Sequence, residues 1–83
     1  MSMAVAVNEN ETRNGMVSIR GMNKQIRDAR LALGLSQDRA AAYCGVAGMT
    51  FQRWEYGSTK SVRQEYYDKL LDILNGTAVM EDA

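Results

Sequence analysis

The side chains best equipped for chemistry in this chain lie close together, at Met49, Thr50, Gln52 and Arg53. Arg53 carries a planar donor fork that pairs bidentately with guanine, and Gln52 carries an amide that does the same with adenine. The methyl groups of Thr50 and Met49 suit the thymine methyl. Phe51 and Trp54 are three residues apart in the same stretch. A helix here therefore buries one face through two rings and turns the polar residues outward. Any packed helix pair with a solvated outer face fits the same pattern, so residue types alone leave both readings open.

The elements that must hold this face are legible around it. Ser36 precedes the helix-forming run Gln37–Cys44, where its hydroxyl oxygen can cap free backbone N–H groups. Gly45 ends that run, and glycine most readily takes the left-handed turn that closes a helix. A second helix is expected from Gly48 to Tyr56, stopped by Gly57. Two short helices joined by a glycine-containing turn follow the helix-turn-helix plan. Ala40, Ala41 and Cys44 fall on one face of the first of them, small enough to let the second cross closely.

Arg27–Gly57 resembles the helix-turn-helix domain of the lambda repressor-like family, the Cro and repressor or XRE type. The resemblance rests on the ordered set Arg30, Gly34, Leu35, Ser36, Gln37, Ala41, Gly45, Val46, Phe51, Trp54, Glu55 and Gly57. With the following helix it spans Lys24–Asn75. It implies a partly buried ion pair between Arg30 and Glu55. It also implies a phosphate contact from Gln37, and a loop after Gly57 that lies over the DNA backbone. Ser36, Gln37, Ser58 and Lys60 are the expected phosphate partners. The chain departs from the family at Ala47, where Ser or Thr often caps the recognition helix, and at Gly48 and Met49, where polar residues are usual. It also contains no proline.

Composition narrows the function classes. Without histidine the commonest general base is missing. No nucleophile, base and oxyanion donor assemble, so no enzyme is expected. A single cysteine, Cys44, makes an internal disulfide impossible and, with no histidine, argues against zinc. No metal or cofactor is expected. No apolar run approaches the roughly 20 residues of a membrane span, and MSMAVAV makes a poor signal peptide. The expected compartment is the cytoplasm of a bacterial host cell. The formal net charge is zero, which argues against non-specific coating of nucleic acid. Lys24–Asn75 nevertheless holds eight basic against six acidic residues. That mild positive bias is compatible with a few phosphate contacts.

The flanks are read as follows. Residues 1–21 form an N-terminal arm, with the β-prone runs Met3–Val7 and Met16–Arg20 around a polar loop. Two readings stay open for it: a disordered or partly ordered arm, or a strand or hairpin that pairs with the same segment of a second chain. Residues 22–76 form the domain. Met22–Leu33 is its first helix, with Asn23 as cap and Ile26, Ala29, Arg30 and Leu33 facing inward; Lys24 and Arg27 fall away from that stripe. Ser61 is expected to cap the last helix, Val62–Asn75, whose stripe is Val62, Tyr66, Tyr67, Leu70, Leu71 and Leu74, with Ile73 toward the outside. Residues 77–83 are an acidic tail.

The expected fold class is all-α: a four-helix lambda repressor-like domain with the arm as its β element. The expected function is sequence-specific DNA binding by a transcriptional regulator, a small repressor or Cro-like protein of a phage or mobile element. It would act as a homodimer on a double-stranded operator. The alternative is an antitoxin or antiactivator that binds a protein partner through the same scaffold.

Overall fold

The computed structural model describes residues 15–78. Four helices and two short strands follow one another: β1 (Met16–Ser18), α1 (Asn23–Ala32), α2 (Gln37–Cys44), α3 (Gly48–Tyr56), β2 (Ser61–Arg63) and α4 (Gln64–Leu74). The fold is the expected four-helix domain, with a small two-stranded sheet in addition. The caps of the central pair form as their residue types dictate. Ser36 Oγ accepts the Arg39 N–H at 3.1 Å. Gly45 and Gly57 take φ of +81° and +92°, the left-handed conformation that lets each helix stop without a Cβ penalty.

Two other caps are not where they were expected. Asn23 does not cap α1; it is the first helical residue, after Met22, and no side chain caps this end. Its amide lies instead against Gly57, where a Cβ would come within 3.4 Å of Asn23 Cγ. Ser61 does not cap α4 either. It belongs to β2 together with Val62, and α4 starts three residues later. The strand claims them because a partner is at hand: Met16, Val17 and Ser18 pair antiparallel with Arg63, Val62 and Ser61. The ladder continues beyond both strands, through Ile19 N–H to Lys60 C=O at 2.9 Å and Gln64 N–H to Gly15 C=O at 2.8 Å.

The run Met16–Arg20, grouped above with a separate arm, thus pairs within its own chain. A lone hairpin is marginal in water. These strands gain a buried side, since Val17, Ile19 and Val62 are all 4% exposed or less. The run Met3–Val7 lies outside the described residues. Of the expected tail, Thr77 and Ala78 are held by their N–H groups on the Asp72 carbonyl, at 2.8 and 3.0 Å.

Phe51, Ile26, Leu70 and Ile73 are the largest fully buried side chains. Ile73 was expected at the outer edge of the α4 stripe and is instead in its centre. Tyr66, Leu70 and Ile73 advance by four and three residues, and Leu74 flanks them half-buried. Tyr43 ties α2 to α4 by donating its hydroxyl to Asp72 Oδ2 at 2.7 Å. Beside it Cys44 is buried.

Burial pushes the Cys44 thiol up to about 12; Lys69 opposes the shift and Asp72 adds to it. The folded chain then holds a proton that the unfolded chain releases near the ordinary thiol value of 9.0. This contribution to stability is fully present below about pH 9 and is lost as pH rises toward 12, at up to about 1.4 kcal/mol per pH unit. In urea unfolding at pH 9 and pH 11, the wild type is expected to lose more stability than Cys44→Ala. Equal losses would show that the thiol ionises without unfolding.

Candidate nucleic-acid interface

Helix α3 is held from behind by Phe51 and Trp54, both buried, with ring centroids 5.3 Å apart and planes tilted by 49°. The opposite stripe follows from helical geometry. Met49, Gln52, Arg53 and Tyr56 recur at i, i+3, i+4 and i+7, one face of a 3.6-residue period. All four are exposed, Tyr56 at 84% and Met49 at 59%. Together with Arg27 of α1 and Gln37 of α2 they line an open groove along this face.

Three of the expected base-reading residues therefore share one surface. Thr50 does not join it. It is half-buried and lines a separate, mostly apolar cleft with Trp54, Thr59, Val62 and Tyr66, which Arg53 also borders. Tyr56 was not among the expected residues, although the 49–52–53–56 spacing points to it directly.

The depth and tilt of α3 are set by a polar brace. Arg30 Nε and Nη2 donate to Glu55 Oε2 and Oε1 at 2.5 and 3.1 Å. Arg30 Nη1 donates to the Leu35 carbonyl at 2.8 Å. Both side chains are nearly buried, 11% and 5% exposed. Gln37 Nε2 completes the brace with a 2.9 Å bond to Glu55 Oε1. One carboxylate thus receives α1 and α2 at the inner edge of the groove. No buried side-chain nitrogen or oxygen among the described residues lacks a partner, as a buried charge requires.

The expected phosphate partners differ in what they have left to offer. Gln37 keeps one amide N–H after bonding Glu55. Ser36 accepts from Arg39, so its own hydroxyl hydrogen remains to donate. The Ser58 hydroxyl turns back to the Arg53 carbonyl at 3.4 Å, beside its own N–H at 3.2 Å. Lys60 is exposed, while its carbonyl belongs to the ladder.

The start of α3 has an arrangement that sequence reasoning missed. Ala47 stands at the cap without a side-chain bond, and the first turn has no acidic residue. Asp38, from the first turn of α2, brings its carboxylate there instead. A Cβ on Gly48 would collide with Asp38 Oδ1. The bare glycine makes room for an anion beside the positive end of the helix, a favourable placement.

A family model described as helix-turn-helix matches residues 26–79, well over half the chain. The chain belongs to the XRE-type, lambda repressor-like helix-turn-helix family. This is a family of DNA-binding regulators and not an enzyme family. No curated protein and no solved structure matches the chain. In this helix-turn-helix domain, β1 precedes the matched stretch, and α2, α3, β2 and α4 all lie inside it. Among the described residues, no helix is long and apolar enough to cross a membrane, and no group of acidic or sulfur side chains is arranged to hold a metal ion.

Proposed function

We propose that the protein binds a specific duplex operator as a homodimer and regulates transcription there, as a small repressor or Cro-like protein of a phage or mobile element in a bacterial cytoplasm. The observation that carries the reading is the outer face of α3. It stays uncovered and bears Gln52 and Arg53, while the opposite face is locked into the core. Gln52, Arg53 and Met49 read base edges, and Thr50 contributes from the flank of the helix. Ser36, Gln37, Ser58 and Lys60 face phosphates. Half-sites would lie about one helical turn, roughly 34 Å, apart.

Selection of bound sequences from a random duplex library tests this. Two inverted half-sites are expected at near-physiological salt. No enrichment by a folded protein would end the operator reading. Arg53→Ala is expected to weaken operator binding by about 1–3 kcal/mol and to relax preference at one base pair per half-site. Equal weakening on every sequence would make Arg53 a phosphate contact.

A second reading is supported by the same face. Met49 and Tyr56 are exposed large apolar side chains on it, and methionine and tyrosine are enriched where proteins meet. An antitoxin or antiactivator would use this surface on a protein partner. Salt separates the two, since binding through several phosphates weakens steeply with salt.

A further inference from the structure

The contact between α2 and α3 has a consequence for sequence recognition that rests on the operator-binding reading above. Gly48 lies at the N-terminal end of α3, the part of a recognition helix that reaches base edges. It stands one turn before Gln52, on the same side of the helix. With hydrogen in place of a side chain, position 48 offers a base nothing of its own. The group that occupies the direction a side chain would take is Asp38 Oδ1. Asp38 is exposed, so its carboxylate keeps acceptor capacity toward solvent beside the start of α3.

We propose that Asp38, lent by α2 across Gly48, is a specificity-determining residue of this interface and selects cytosine in the major groove. The choice of base follows from charge. A carboxylate only accepts hydrogen bonds. Guanine presents two acceptors in the major groove, and thymine presents an acceptor and a methyl; both are unfavourable partners for an anion. Adenine sets its N6 donor beside the N7 acceptor, which repels the second carboxylate oxygen. Cytosine presents the N4 amine alone. Asp38 therefore disfavours three bases and favours one. The same negative charge lowers affinity for phosphate-only contacts, so it raises the ratio of specific to non-specific binding.

The test is sequence selection from a random duplex library by the full chain, by Asp38→Asn and by Asp38→Ala, with urea unfolding of all three. Asp38 is exposed and the asparagine amide has nearly the shape of the carboxylate, so Asp38→Asn keeps the fold, and its amide pairs bidentately with adenine. The wild type is expected to prefer cytosine by about fivefold or more at one position in each half-site, the lower end of what a good base contact yields. Asp38→Asn is expected to move that position to adenine and leave the others unchanged. Asp38→Ala is expected to flatten the position and to bind random duplex more tightly. An enriched wild-type site that Asp38→Asn leaves unchanged at every position would overturn the proposal, confine Asp38 to steadying α3, and spare the operator reading. A wild type that enriches no site would overturn both.

Discussion

Glu55→Ala is expected to cost about 3–5 kcal/mol of folding stability, the loss typical when one member of a buried ion pair is removed. The carboxylate accepts from Arg30 through two nitrogens and from Gln37 through a third. Without it, the Arg30 guanidinium stays in a site where only 11% of its side chain is exposed, and its single remaining protein bond is to the Leu35 carbonyl. For a chain of this size total stability is about 4–12 kcal/mol, so the loss removes from about a quarter of that stability to all of it. The cost comes from the stranded charge more than from lost attraction. Replacing both partners, Arg30→Met with Glu55→Leu, is therefore expected to recover most of the loss. Urea unfolding of both variants decides the matter. A loss below about 1 kcal/mol for Glu55→Ala would mean that the pair is screened like a surface bridge.

Phe51→Ala is the second large effect, also about 3–5 kcal/mol. Phe51 is fully buried, beside Trp54 and among Ile26, Leu70 and Ile73. Truncation removes its apolar burial and leaves a cavity that α1, α3 and α4 cannot all close. The substitution leaves the outer face of α3 chemically intact, so operator preference measured on the remaining folded protein should not change. Phe51→Leu should keep most of the stability. Near-native stability for Phe51→Ala would show that the helices collapse around the gap.

The two substitutions act on opposite supports of one helix. Phe51 holds α3 by filling space, and Glu55 holds it by satisfying charge. An interface that reads base edges needs both, because its side chains must meet the groove at a fixed depth and tilt. Tyr43 and Asp72, with Lys69 over the Tyr43 ring at 5.0 Å, steady the other end of the scaffold by joining α2 to α4.

What the sequence determined by itself was local. The start of α2 and the stops of α2 and α3 follow from Ser36, Gly45 and Gly57, each acting within a few residues of its own backbone. The inner stripe of α1 and the buried rings of α3 follow from helical period. The Arg30–Glu55 pair, implied by family resemblance, forms between the residues expected. Tertiary structure decided everything that needed a partner distant in the chain. Met16–Ser18 could have paired with several segments, and only the packing of Val17 and Val62 into a shared core selects Ser61–Arg63. That pairing withdrew Ser61 from its expected cap. The centre of the α4 stripe moved to Leu70 and Ile73 because the position of α1 and α2 sets which side faces inward. Gln37 was expected at a phosphate and has Glu55 as its first partner. The carboxylate of Asp38 reaches α3 because Gly48 leaves it space. Such contacts depend on where two elements meet in three dimensions, and neither residue type nor periodicity along the chain encodes that meeting point.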